Sequence, residues 1–227
     1  MDYALDCYQI EALRDFFKKF VMEWFLLGFP MECKKSAQQF NESYIVPLRA
    51  DFEIAMHNDR IAPIGTPNVI PFAVVMPKHK ISLSRQYEMY GFKDKQRFIN
   101  YLKMDMLESS VGPGLGGPYI ITNINCGKPA FGADPQKEYR NRLIAGEHRL
   151  QFEELLSVIK FMDSNQGMFP LKHQAAITGS YFISDDKTYV PYADFGNASG
   201  TVLNYTATEN VFCPYRGVMT YERLYKG

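Results

Sequence analysis

A thiol and two imidazoles are the side chains of this sequence best suited to nucleophilic chemistry. Cys126 stands near the end of the apolar stretch 117–127, and His148 and His173 follow it. Cysteine attacks as its thiolate, which an adjacent histidine generates by accepting the proton. If the stretch is a strand, Cys126 lies where ligand crevices form, beyond a strand end. This set suits a small-molecule enzyme with Cys126 or Cys213 as nucleophile and His148, His173 or Glu147 as base, which is the alternative to a noncatalytic binding module. The ordinary explanation of Cys126 is a buried, inert cysteine.

A second set of candidate residues lies in the last third of the chain and suits binding rather than catalysis: Ser180, Tyr205, Cys213 and Arg216. Alternate positions on a strand share a face, so aromatic and hydroxyl side chains of neighbouring strands can line a cleft. Arginine adds a planar fork that binds carboxylates and phosphates. These residues predict a noncatalytic module that binds a partner protein or a small anionic ligand through its C-terminal sheet. Ordinary packing of aromatic pairs across strands is the alternative.

Two other kinds of site are not supported by the sequence. Gly112, Gly114 and Gly117 match the letters of a dinucleotide fingerprint. That motif needs a strand before the glycines and a helix after them, whereas here the glycines precede the strand and enclose Pro113. The four histidines are isolated, with no H-E-x-x-H spacing, so no metal and no cofactor are predicted.

Charge and cysteine usage limit the partners and the compartment. The 227 residues include 25 basic and 25 acidic side chains, so the formal net charge is zero and nucleic acid is not an expected partner. The four cysteines are far apart, as expected of reduced thiols in a cytoplasm. The apolar segment 16–29 is interrupted by Lys18, Lys19 and Glu23, which argues against a membrane span. The sequence therefore predicts a cytoplasmic protein without a membrane partner.

The N-terminal quarter has the pattern of amphipathic helices. Apolar residues recur at three- and four-residue intervals over 2–27, where Gly28 ends the pattern. Ser36 and Gln39 have the spacing of a capping box, and Pro47 suits the first turn of a further helix. Helices are thus expected to position the rest of the fold.

The remainder of the chain alternates β-prone runs with a compact core helix at 150–161. The β-prone runs are 72–76, 117–127, 175–183, 187–192, 202–206 and 211–213. Helices first and hairpins last predict the α+β class, with N-terminal helices packed on a mixed sheet and a C-terminal antiparallel meander. We expect a single domain over 1–227, helical over about 1–60, with the sheet core and meander over about 68–227.

The order of several short segments resembles an uncharacterised bacterial family, the domain-of-unknown-function family 5701. The segments are Trp24-Phe-Leu-Leu-Gly-Phe-Pro30, Pro47-Leu-Arg49, Ile70-Pro-Phe-Ala-Val-Val-Met-Pro77, Gly117-Pro-Tyr-Ile, Asn125-Cys-Gly127 and the helix after Arg149-Leu150. The resemblance covers most of the chain and implies a bacterial source. The family has no assigned activity, so the resemblance implies no catalytic residue.

Overall fold

Six α-helices and ten strands lie in the described part of the chain. The computed structural model describes residues 5–92, 101–109, 116–125, 148–165, 175–194, 202–207 and 216–223. The helices are α1 (Cys7–Leu26), α2 (Phe29–Glu32), α3 (Ala37–Phe40), α4 (Val46–His57), α5 (Leu83–Met89) and α6 (Phe152–Ser164). A π-helical turn, Asn41–Ile45, joins α3 to α4, and a 3-10 helix, Tyr101–Met106, follows α5. The strands are β1 (Val69–Val75), β2 (Glu108–Ser109), β3 (Tyr119–Asn125), β4 (His148–Arg149), β5 (Ala175–Ile177), β6 (Ser180–Ser184), β7 (Lys187–Asp194), β8 (Val202–Ala207), β9 (Arg216–Val218) and β10 (Thr220–Arg223).

The helix boundaries follow the predicted capping signals. Gly28 has φ +81°, a left-handed conformation that glycine adopts without strain, and it separates α1 from α2. The Ser36 hydroxyl accepts from the Gln39 amide, and the Gln39 side chain accepts from the Ser36 amide, so the predicted capping box is confirmed. Pro47 lies in the first turn of α4, where its missing N–H costs no hydrogen bond.

The first sheet has the order β1-β3-β10-β4, and its described pairs are all antiparallel. β3, the strand expected at the centre, has strands on both sides and is buried along all but its last residue. Helices α1 and α6 contact β1, and α4 contacts β3. These helices therefore pack on β1 and β3, the two strands of this sheet that the sequence predicted as β-prone runs.

A bulge interrupts β3 where it pairs with β10. The register shifts between Thr220 and Glu222, opposite Asn123, whose φ is +50°. Asparagine tolerates the left-handed region because its short amide can bond locally. Here the amide accepts from the Ala62 N–H at 2.7 Å and donates to the Arg60 carbonyl at 3.0 Å. The bulge is thus tied to the loop that follows α4.

The second sheet has the order β2-β6-β7-β5-β9, with β8 paired to β7. Its hairpins are antiparallel, as the meander prediction requires, but β5 and β9 pair in parallel, with Ala175 opposite Arg216. The mixed pairing expected of the core sheet therefore occurs, among the described strands, in the C-terminal sheet. Helices first and strands last confirm the α+β class.

One segment, 216–223, joins the two sheets. β9 belongs to the second sheet and β10 to the first, and Met219 lies between them. The Leu150 N–H donates to the Met219 carbonyl at 3.2 Å, and the Leu150 carbonyl accepts from the Gly179 N–H at 2.7 Å. These backbone bonds place the beginning of α6 at the junction of the sheets.

Aromatic side chains fix α1 and α4 on β1. Phe17 of α1 and Phe52 of α4 are stacked, with ring centroids 4.7 Å apart and an interplanar angle of 18°. Phe52 contacts Phe72 of β1 at 4.7 Å, and Phe72 contacts Phe161 of α6 at 5.2 Å. Such pairs contribute about 0.5–1.5 kcal/mol each beyond their buried area, so this cluster holds the helices in a defined arrangement.

Over the described ranges, no helix combines the length and the apolar character that crossing a bilayer requires.

Candidate functional site

A pocket of about 320 Å³ opens between α1 and α4. We call it the cationic pocket; its lining residues are Arg14, Phe17, Lys18, Arg49, Phe52 and Glu53. Three of these side chains carry a positive charge and one carries a negative charge at neutral pH. The lining residues therefore carry a surplus of two positive charges.

The same spacing on both helices builds this pocket. α1 carries Arg14, Phe17 and Lys18, and α4 repeats the spacing of arginine, phenylalanine and a charged residue at 49, 52 and 53. Residues three and four apart share one face of a helix. When the two phenylalanines stack, the charged neighbours of each are brought to the rim of the same cavity. The positions of the charges thus follow from the apolar contact beneath them.

Arg14 is already engaged by the carboxylate of the pocket. Its Nε donates to Glu53 Oε1 at 2.9 Å and its Nη2 to Oε2 at 2.6 Å, so one guanidinium edge uses both carboxylate oxygens. The hydrogen bonds from Arg14 lower the pKa of Glu53, and the same bonds raise the pKa of Arg14. Glu53 is therefore a carboxylate anion at neutral pH.

Lys18 and Arg49 are the two positively charged side chains of the pocket that are available to a ligand. Both are exposed, and neither forms an ion pair or a side-chain hydrogen bond with any residue of the described ranges. After the hydrogen bonds from Arg14, the charge of Arg49 makes a smaller contribution to lowering the pKa of Glu53, and both residues line the same pocket. Two such cations beside a cavity can hold an anion from solution through charge-assisted hydrogen bonds.

The structure places Ser180 in the interior. Its hydroxyl accepts from the Phe152 N–H at 2.9 Å and lies 3.3 Å from Gln151 Oε1, and only 2% of the residue is exposed. The first turn of a helix has amide groups without intrahelical partners, and Ser180 satisfies one of them. This predicted ligand residue therefore anchors the beginning of α6 to β6.

Tyr205 also takes part in packing. Its ring meets Phe182 edge-on at 4.7 Å between centroids, and Phe182 in turn stacks on Tyr189. Burial, with a smaller effect from Asp105, raises the pKa of Tyr205. Tyr205 therefore takes part in aromatic packing across strands. This packing was the alternative to a ligand cleft in the sequence analysis.

The predicted cysteine and histidine site is described only in part. His148 lies in β4, opposite Tyr221 of β10, with the ring centroids 5.7 Å apart. Arg216 begins β9, beside Ala175. Three predicted residues lie outside the described residues: Cys126, His173 and Cys213. The cysteine nucleophile with a histidine base stays a prediction.

The sequence did not predict a buried carboxylate that bonds to Tyr221, the residue opposite His148. Glu154, fully buried in the first turn of α6, accepts from the Tyr119 hydroxyl at 2.8 Å and the Tyr221 hydroxyl at 2.5 Å. Its other oxygen accepts from the Gln151 N–H at 2.6 Å. Burial, followed by the charge of Glu154, raises the pKa of Tyr119 well above its ordinary value. These hydrogen bonds connect α6 to β3 and β10, so the carboxylate stabilises the fold.

Metal ligation finds no support in the part of the chain that the structure describes, where no three of its histidine, cysteine, aspartate and glutamate side chains group closely enough to hold an ion.

The charged residues of the cationic pocket were not predicted as a site from the sequence either, although the repeated spacing of α1 and α4 was visible there.

Comparisons with known proteins add no functional assignment. The chain matched no protein-family model, no curated protein and no solved structure. Membership of family 5701 stays a prediction.

Proposed function

We propose that this protein binds a small anionic ligand in the cationic pocket and acts as a binding module rather than as an enzyme. The observation that carries the proposal is the pair Lys18 and Arg49, two cations that line one cavity and have no described partner. The carboxylate in the cavity, Glu53, is already bound by Arg14 on both oxygens. An external anion is the partner that this arrangement favours.

The helices that carry the pocket support binding without rearrangement. Phe17 and Phe52 are buried and stacked beneath it, so α1 and α4 are fixed relative to each other before a ligand arrives. Preformed cavities of roughly 300–1,000 Å³ are typical of small-ligand sites, and this one lies at the lower end. A compact anion suits it better than an extended one.

The ligand class is the one expected from the sequence, but the proposed place is different. Ser180 is buried and its hydroxyl is bound within the protein, so it supports binding at the C-terminal sheet less than Lys18 and Arg49 support it at the pocket. Binding of a partner protein through the C-terminal sheet stays a prediction. Substitution of Arg216 would test it, because binding should then be lost.

Titration with sodium sulfate, followed by the backbone amide NMR shifts of residues 14–18 and 49–53, tests the proposal. The double variant Lys18→Gln/Arg49→Gln is expected to lose roughly tenfold in affinity, which is about 1.4 kcal/mol. The matched control is Lys34→Gln/Arg60→Gln, which removes the same two residue types from exposed positions outside the pocket. Its affinity should stay within about twofold of the unaltered protein, because net charge alone acts weakly over distance in salt. Equal losses in both variants, or no loss in the first, would overturn the proposal.

A further inference from the structure

We propose that the cationic pocket selects doubly charged anions of the phosphate monoester class over singly charged anions of the same shape. The inference rests on the proposed function and adds the charge and chemistry of the ligand. Its first basis is the charge of the lining, where three cations face one carboxylate. A dianion neutralises the surplus completely, whereas a monoanion leaves one positive charge without a counterpart.

The second basis is the number of oxygens that the cations can use. The pocket contains its own example of a carboxylate on a guanidinium, in which Arg14 takes both oxygens of Glu53. A carboxylate ligand bound to Arg49 in the same way would have both of its oxygens engaged and none left for Lys18. A phosphate monoester has three terminal oxygens, so it can bind the planar fork of Arg49 and still offer an oxygen to the point charge of Lys18.

The third basis is the aromatic floor of the pocket, which is almost fully covered. Phe17 is 3% exposed and Phe52 is 1% exposed, so a ligand can bury almost no aromatic area against them. Stacking on these rings therefore contributes little to the binding free energy, and the charged group of the ligand is the part that the exposed cations can hold. The recognised element is therefore the phosphate itself, whether it is a free ion or an ester.

Phenyl phosphate and phenyl sulfate separate the effect of charge from that of shape. The sulfate ester keeps one negative charge at every pH used, whereas the phosphate ester gains its second charge near pH 6. At pH 5 the two ligands should bind with affinities within about twofold of each other. At pH 7.5 phenyl phosphate should bind roughly tenfold more tightly, a difference that one additional charge contact can supply.

The sulfate ester is the control for any change in the charge of the protein between the two pH values. Besides the pocket cations, Glu11 of α1 and His57 of α4 are the charged or ionisable groups that act on the Arg14–Glu53 pair. Any change in their charge alters the binding of both esters, so the ratio of the two affinities reports the ligand charge. A His57→Gln variant should show, at each pH, the same ratio of phenyl phosphate to phenyl sulfate affinity as the unaltered protein. A ratio that no longer rises between pH 5 and pH 7.5 in this variant would overturn the proposal.

The possible outcomes separate this inference from the proposed function. Equal binding of the two esters at pH 7.5 would overturn the preference for a dianion and leave anion binding intact. Binding of neither ester, with sulfate also inert, would overturn both. Inorganic phosphate that binds as tightly as phenyl phosphate supports the free ion as the source of the ligand, and weaker binding of inorganic phosphate supports an ester.

Glu53→Gln tests the charge account from the side of the protein. The change removes the internal anion and frees the guanidinium of Arg14, so both esters should bind about fivefold to tenfold more tightly. Unchanged affinities in a folded variant would contradict the charge account.

Discussion

Two carboxylates of this protein are held by hydrogen bonds in opposite surroundings, and the contrast separates a structural site from a binding site. Glu154 is fully buried and accepts from two tyrosine hydroxyls and one backbone N–H. Glu53 is about one-third exposed and is bound by Arg14 at the rim of the cationic pocket. An enclosed carboxylate with matching donors has no capacity for a ligand. A carboxylate among surplus cations at the surface leaves charge that solution anions can use.

The cost of losing each carboxylate differs for a physical reason. In the interior, the donors that Glu154 satisfied would remain buried without an acceptor, and water could not replace it. At the surface, water solvates Arg14 as soon as Glu53 is removed. The comparison therefore predicts large stability effects at Glu154 and large binding effects at Glu53.

Glu154→Ala is expected to produce the largest effect. Loss of a buried acceptor for three donors, together with the cavity it leaves, should lower the free energy of unfolding by about 4 kcal/mol. Urea unfolding followed by circular dichroism measures the change. Glu53→Ala is the matched control and should cost no more than about 1 kcal/mol.

If Glu154→Ala does not fold, Tyr221→Phe probes the same contact. It removes one hydrogen bond to the carboxylate and should cost about 1.5–3 kcal/mol. Similar losses at Glu154 and Glu53 would show that burial does not distinguish the two carboxylates.

The dependence of the unfolding free energy on alkaline pH tests the buried Glu154 site through its partner Tyr119. Burial and Glu154 raise the pKa of Tyr119 above its unfolded value near 10. The neutral form is therefore favoured in the folded protein, and the stability it contributes is present below pH 10 and lost as the pH rises through the folded pKa. Above pH 10 the protein should lose about 1.4 kcal/mol per pH unit more than Tyr119→Phe does. Parallel pH profiles of unfolding free energy for the two proteins would contradict this account.

Ser180→Ala distinguishes a capping role from a ligand role. The variant loses the acceptor for the Phe152 N–H and should be destabilised by about 1 kcal/mol, measured by urea unfolding. Affinity for sulfate should not change, because Ser180 does not line the cationic pocket. Weakened sulfate binding at unchanged stability would instead assign Ser180 to the binding site.

Acid titration should show the smallest effect, at the surface carboxylate. Because Arg14 lowers the pKa of Glu53, the pair contributes stability above the unfolded pKa near 4.3, and this contribution is lost as the pH falls through the folded pKa. The difference in unfolding free energy between the protein and Glu53→Gln should shrink by no more than about 1 kcal/mol from pH 6 to pH 3. A difference that grows toward low pH would have the wrong sign for this pair.

Local signals in the sequence predicted much of the fold. The capping box at Ser36 and the helix end at Gly28 depend on neighbours within a few residues, and both are confirmed. The position of β10 between β3 and β4 depends on pairing across about 100 residues, which no local pattern encodes.

The two carboxylate sites were harder to predict because each depends on a tertiary contact. Glu154 lies in the helix predicted over 150–161, but a glutamate there is usually exposed, and the tyrosines that make its burial favourable come from β3 and β10. The phenylalanines beneath the pocket lie in two helices that the sequence predicted, the one over 2–27 and the one that begins near Pro47. Their charged neighbours become a site only when the two helices pack together.

The segment that joins the two sheets has a consequence for synthesis on the ribosome. Residues 216–223 supply β9 to one sheet and β10 to the other. Until these residues emerge, β3 keeps an open edge toward the missing β10, and β4 lacks its described partner. The nascent chain therefore cannot complete its first sheet from the N-terminal part alone. The unpaired edge of β3 must be kept from pairing with other chains until residues 216–223 have emerged from the ribosome.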